Sequence, residues 1–389
     1  MRASNGGGNL SGVYLPEIPV PRPRTVSILG TPLAAAAAVF ACSDRIAPVP
    51  DFASMSRQSS SSPTITPQET GTTFRFFAVS PVNDRVVWAS AAGGMFARTT
   101  DGGTTWISRH VPGAGTVQFR DVQGVSEGVA YLMSAGGGSE NRIYMTENGG
   151  DTWVLQYQAT DPRSFYDCFD FWTPTRALLF GDSFDDRFTF LKLRDGDTWE
   201  DISEQSPEAQ PGEAGFAASG TCIKTLAGQS AWVGTGAAAQ ARVLATRDGG
   251  DTWTASDEVP IEPQGTPTSG VVSIDFRDRF HGILGGGDVV ASTIPQLNVA
   301  RSEDGGATWS LTTPTPFPGA VYGLTYVPGR NKLTVVATGP GGSAWTTDEG
   351  DTWTLLPGIT NCWAVAFASW KTGWLACGAG RIFRIDFSD

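Results

Sequence analysis

The chain has 389 residues, of which 48 are glycine, 13 are tryptophan and only 17% are charged, a composition that suits an all-β protein with many tight turns. Acids outnumber basic residues 39 to 27, a formal charge of −12 that becomes −14 without residues 1–41. That balance argues against nucleic acid and anionic lipid surfaces as bulk partners.

In chain order, the first signal is an export signal. Arg22 and Arg24 precede an apolar, alanine-rich run from Val26 that ends Val39-Phe40-Ala41-Cys42. A positive flank, a short apolar core and a small residue before the cut predict a secretory signal peptide over residues 1–41, too short to span a membrane as a helix. The last four residues resemble a bacterial lipobox, which implies a lipidated Cys42 and a membrane contact made only through that anchor. An ordinary signal peptide is the alternative. The flank ahead of Arg22 is long, which predicts a true start downstream of Met1. Residues 42–71, with Ser59 to Ser62 and several prolines, read as a flexible tether that ends in a strand.

Residues 72–389 are organised by six copies of one turn, Ser/Thr-x-Asp-x-Gly-x-Thr-Trp. The copies are centred on Asp101 and Trp106, Asn148 and Trp153, Asp195 and Trp199, Asp248 and Trp253, Asp304 and Trp309, and Asp348 and Trp353. The third is one residue short and lacks the leading hydroxyl. The tryptophans fall 47, 46, 54, 56 and 44 residues apart, the period of a propeller blade. A short carboxylate or amide can bond backbone N–H groups further along the turn, and glycine supplies the positive φ that closes it. Tryptophan then opens the outgoing strand and is large enough to wedge between sheets. A turn repeated six times along the chain is scaffold, since chemistry is needed once.

Each repeat reads as four short strands with period-two alternation. Blade one covers 74–109, blade two 116–158, blade three 165–203, blade four 221–256, blade five 271–312 and blade six 321–356. Residues 362–387 supply three strands without the turn, which leaves an open edge. A strand within Thr64–Thr72 is expected to fill it, giving an all-β, seven-bladed β-propeller closed by its N-terminus. In a four-stranded meander the repeated turns share one face with the tight turns at 173–176, 228–230 and 328–331. The long insertions 182–187, 204–220, 236–242, 257–270 and 286–297 share the other and crowd onto blades three to five. Long loops on one face mark where a partner is met.

Four cysteines remain after Cys42, an even number in an exported chain. Cys168 and Cys222 each stand 31 residues before their blade's tryptophan, and Cys362 and Cys377 flank one hairpin. Pairing within each couple is expected, with buried free thiols as the alternative. The only histidines, His110 and His281, lack ligand-like company, so no metal site is expected, and no cofactor is expected either. No dinucleotide-binding or nucleophile-elbow motif occurs.

The richest polar stretch runs from Asp161 to Trp172 and on to Arg187. Together with blade four it predicts a cluster near the channel mouth. Tyr166, Asp182, Glu213 and Ser219 are the expected hydrogen-bonding groups, and Arg187 and Arg242 the expected partners of an anion. The enzymatic alternative is a glycoside hydrolase that draws two acids from Asp167, Asp182, Asp185 and Glu213, which must flank a bond at a defined separation.

The repeated turn resembles the Asp-box of the BNR-repeat proteins, which include sialidases, polysaccharide hydrolases and photosystem II stability/assembly factors. A sialidase resemblance implies an arginine trio, a Tyr–Glu pair and a Phe/Tyr-Arg-Ile-Pro motif near the first blade. Here the nearest string is Phe383-Arg384-Ile385-Asp386, at the other end and without proline. The strings Phe165-Tyr166-Asp167-Cys168, Gly181-Asp182 and Pro211 to Cys222 resemble photosystem II stability/assembly factor-like proteins of non-photosynthetic bacteria, over about residues 72–387. That resemblance implies an exported seven-bladed propeller without assigned catalysis. The expected function is an extracytoplasmic, monomeric scaffold that binds a protein or glycan on the loop face of blades three to five.

Overall fold

The structure, a computed structural model, describes residues 62–115 and 117–388. The predicted signal segment, Cys42 and the tether up to residue 61 lie outside the described residues. The described chain forms seven four-stranded antiparallel sheets, as the repeat period predicts, with two one-turn 3-10 helices. Second strands such as Ser230–Gly234 and Val335–Gly339 are buried at every position, because each lies between neighbouring sheets. They accordingly read as runs of small apolar residues rather than alternating ones. The short fourth strands Thr254–Ala255, Ser310–Leu311 and Thr354–Leu355 are exposed throughout.

The first strand of each blade lines the axis. In order these are Phe76–Pro81, Gln118–Gly124, Tyr166–Thr173, Ile223–Leu226, Ser269–Phe276, Gly323–Tyr326 and Cys362–Phe367. Each neighbours the next, and that of blade seven meets that of blade one, so the ring is closed. Blade seven is completed by Thr64–Gln68, which pairs antiparallel with Ile382–Asp386, Thr64 opposite Asp386 and Gln68 opposite Ile382. Ile65 packs on the cluster that holds Ile385 and Phe387. Pairing stops at Gln68, short of the expected Thr72, and beyond it the Thr70 hydroxyl donates to the Gly380 carbonyl at 2.6 Å.

The repeated turns are held by their own side chains. Asp101 accepts from the Thr105 N–H at 2.8 Å and its hydroxyl at 2.7 Å, while the Gly103 N–H donates to the Thr99 hydroxyl at 2.9 Å. Asp248, Asp304 and Asp348 repeat the pattern, and Asn148 reproduces it with an amide. The short third copy bonds Asp195 to the N–H groups of Asp197 and Thr198. Gly150 has φ +87°, and a Cβ there would come within 2.4 Å of the Phe96 ring. The tryptophans do wedge between sheets: Trp153 packs on Trp88 and Phe96 of blade one, and Trp253 stacks on Phe190 of blade three at 4.4 Å.

Burial raises the Asp248 carboxyl, but the Thr252 hydroxyl and N–H and the Thr246 hydroxyl outweigh it and hold the group at about 2. Its contribution is therefore fully present above about pH 4, the unfolded value, and is lost as pH falls through about 2. Asp248→Ala is expected to cost about 1 kcal/mol at neutral pH and nothing below pH ~2. Urea melts at both ends of that range check it; equal cost at both would contradict the assignment.

A second set of acids joins blade to blade around the axis. Asp121 accepts from Val122 N–H at 2.7 Å and, across the blade boundary, from Phe169 N–H at 2.9 Å. Asp170 does the same for Phe171 and Thr225, and Asp275 for Phe276 and Tyr326. Each satisfies two backbone donors that a sheet alone would leave unpaired. For Asp170 and Asp275 an acid between apolar neighbours inside a strand was the available sequence signal, while Asp121 follows Arg120 and lacked it.

Candidate functional site

At the long-loop end the channel opens into a funnel of about 440 Å³. Its walls come from the heads of inner strands (Arg75, Arg120, Phe165, Asp167, Tyr322, Trp363), the ends of second strands (Asp182, Val289) and loop residues 214–218, 237, 267 and 268. Residues 214–220 turn inward and plug the axis below it. The Arg120 guanidinium donates to the Ala217 carbonyl at 2.9 Å from blade two, and the Ser219 hydroxyl donates to the Tyr322 carbonyl at 2.5 Å from blade six. A disulfide between Cys168 and Cys222 ties the end of this loop to blade three, and a second joins Cys362 to Cys377 across blade seven.

Two arginines dominate the funnel's charge. The Arg75 guanidinium lies 4.3 Å over the Trp363 ring and is exposed, and that of Arg120 lies 4.1 Å over Phe77. Neither forms a salt bridge with an acid. The Arg120 Nε is buried without an acceptor. Two cations turned toward one cavity in a protein of net charge −12 make a local field that favours an anion. Neither residue stood out in the sequence. Their shared mark is an arginine directly beside a phenylalanine, Arg75-Phe76 and Phe119-Arg120, at the heads of adjoining inner strands.

Two of the expected residues meet in the funnel. Asp167 is fully enclosed, with the Asp182 carboxyl and the Ala217 N–H beside it, yet neither of its oxygens has a donor in hydrogen-bonding geometry. Burial, then the adjacent Asp182, push its carboxyl well above the usual range. Asp182 is raised by burial, opposed by the Gly215 N–H that donates to it at 3.0 Å.

The other expected residues are placed elsewhere. Tyr166, expected as a hydrogen-bonding group at the mouth, is 1% exposed and packs with Tyr131, Met133 and Ile143 between blades two and three. Its ring is large and apolar enough to fill the gap between sheets, and the strand bulges just after it, between Tyr166 and Cys168. Arg242, expected to meet an anion from outside, instead grips Glu213: Nε donates to Oε1 at 2.8 Å and Nη2 to Oε2 at 2.7 Å. The Glu213 side chain is 0% exposed and also accepts from the Thr235 hydroxyl and the Gln210 N–H. Arg187 donates to the Glu204 carbonyl at 2.9 Å on an outer turn and does not line the funnel. Ser219 belongs to the plug. Asp185 has φ +52° on an exposed turn, paired with Arg163 at 2.8 Å.

The four acids proposed for glycoside cleavage therefore do not flank one cleft. Asp167 and Asp182 touch each other, closer than the ~5 Å or more such a pair needs, while Glu213 is sealed and Asp185 lies outside. Among the described residues no group of three or more His, Cys, Asp or Glu is placed to hold a metal ion.

No protein-family model matches the chain, and no curated protein matches it. Among solved structures it is similar to YCF48 bound to a D1 peptide, at 14% identity and TM-score 0.59, covering 84% of this chain and 97% of that one. It is similar to YCF48 from Cyanidioschyzon merolae at 13% identity and TM-score 0.59, covering 83% and 98%. The WD40 propeller domain of Doa1 is similar at 12% identity and TM-score 0.56, covering 84% and 98%. At these identities the likeness shows the propeller fold.

Proposed function

We propose that the chain is a non-catalytic, extracytoplasmic scaffold that seats an anionic segment of a protein partner in the funnel on its long-loop face. The observation that carries this reading is the pair Arg75 and Arg120, placed over Trp363 and Phe77 and engaged in no salt bridge. Guanidinium groups held over aromatic rings are pre-organised to take a carboxylate. Phe165, Phe216, Tyr322 and Trp363 give the apolar walls that bury the rest of a bound segment. One similar structure is that of YCF48 bound to a D1 peptide, which supports a peptide as the kind of ligand a propeller of this shape takes. The run from Val26 to Cys42, outside the described residues, supports the extracytoplasmic setting.

Selection of displayed random 12-residue peptides on the folded chain tests the reading. Recovered peptides are expected to be rich in Asp and Glu. They should lose about 30-fold in affinity on Arg75→Glu, since one charge-assisted contact is worth ~2 kcal/mol. An exposed arginine leaves the fold intact, so an unchanged melting curve accompanies the loss. Peptides that bind Arg75→Glu as well as the natural chain contradict the proposal.

A further inference from the structure

Under the mouth of the funnel lies a second feature that anion capture alone does not use. The Asp167 carboxyl is wholly enclosed beside that of Asp182, and no donor is in hydrogen-bonding geometry with either of its oxygens. Gly215 closes over it so tightly that a Cβ there would come within 2.4 Å of Asp167 Oδ2. Two touching carboxyls resist ionising together in such a space, and the arrangement is most stable when they hold one proton between them.

The charged and titratable groups around the pair can be named element by element. Asp182 faces Asp167 from the second strand of blade three, and Arg120 faces it from the inner strand of blade two. Arg75 and Tyr322 face Arg120 in turn, and Asp288 stands behind Tyr322. From the plug only backbone and apolar groups approach, because the Glu213 carboxylate is turned away to Arg242. With the pair holding its proton, Arg75, Arg120 and one carboxylate leave the funnel with a net positive charge. When that proton leaves, the charge cancels.

We propose that the funnel binds an anionic segment together with a proton held by the Asp167–Asp182 pair, so that affinity falls as pH rises and the partner is released toward alkaline pH. This rests on the anion-binding reading above and assigns its regulation. The sign follows from linkage: the bound anion stabilises the protonated pair, so binding takes up a proton wherever the free protein has lost it. Asp167 thus acts as a positioning residue for charge, without touching the ligand.

Isothermal titration of the full chain with hexaglutamate from pH 5.5 to 9, where the probe's carboxylates stay ionised, tests it. The natural chain is expected to lose affinity with pH, by up to about tenfold per unit at the steepest, the slope of one linked proton. Asp167→Asn is expected to flatten that profile. Repeating the titration of the natural chain in two buffers of different ionisation enthalpy should show proton uptake on binding, a readout that needs no variant. Binding with a flat profile and no proton uptake overturns the inference, as does a slope retained in Asp167→Asn. Absence of hexaglutamate binding at every pH overturns the anion-binding reading itself, and this inference with it.

Discussion

A chain that begins at residue 74 is expected to lose its cooperative thermal transition or to melt on the order of 10 °C lower than one that begins at residue 62. The reason is the seam of blade seven. Removing Thr64–Gln68 strips the partner from Ile382–Asp386 along five paired positions. It also takes Ile65 off the cluster containing Ile385 and Phe387 and removes the Thr70 bond to Gly380. An unpaired edge next to an open seam leaves backbone donors and acceptors exposed and invites association between chains. A synthetic peptide of residues 62–72 added to the shortened chain should restore part of the transition. Equal melting temperatures for the two chains would show that the ring does not depend on its N-terminal strand.

Arg242→Ala is expected to cost about 3–5 kcal/mol, because it leaves the Glu213 carboxylate sealed in the loop without its cation. Thr235 and Gln210 still donate to it, but neither carries charge. Replacing both partners, as Glu213→Leu with Arg242→Met, should recover most of that loss, since two apolar groups of similar volume need no desolvation of charge. Urea denaturation of the natural chain, the single variant and the double variant checks the pattern. A single variant within 1 kcal/mol of the natural chain would mean that the pair does not hold the loop. The same residues set the funnel's shape, because the loop that begins at Glu213 continues through Gly215 and Ala217 into its wall. Binding of an anionic peptide should therefore weaken in the single variant at temperatures where the fold persists.

The parts of this architecture that could be read from the chain are those whose causes are local. The repeated turns are closed by side chains bonding backbone two to four residues away, so Asp101, Asp248 and their equivalents announce themselves in the spelling. Blade count followed from their spacing, and the closing strand from the need to cover an edge. The funnel was only half legible. Asp167 and Asp182 lie on paired strands of one blade, which sequence proximity suggested. Arg75 and Arg120 sit on different blades and are oriented by Trp363 and Phe77, contacts that no local pattern encodes. Arg242 and Glu213 were read as loop groups that meet a ligand. They find each other across 29 positions because the loop folds back into the body. Tyr166 was misplaced for a different reason. It was read with the polar stretch around it, but its ring is mostly apolar and is buried between blades two and three.

The central claim is that a partner segment is taken at the funnel and not on the face of the repeated turns. Hydrogen–deuterium exchange of the full chain, with and without the tightest acidic peptide recovered by selection, tests it most directly. Slower exchange is expected in the segments around Arg75, Arg120, 213–218 and Tyr322, with the turns at 101–106, 248–253 and 348–353 unchanged. Protection confined to those turns, with the funnel segments unaffected, would contradict it.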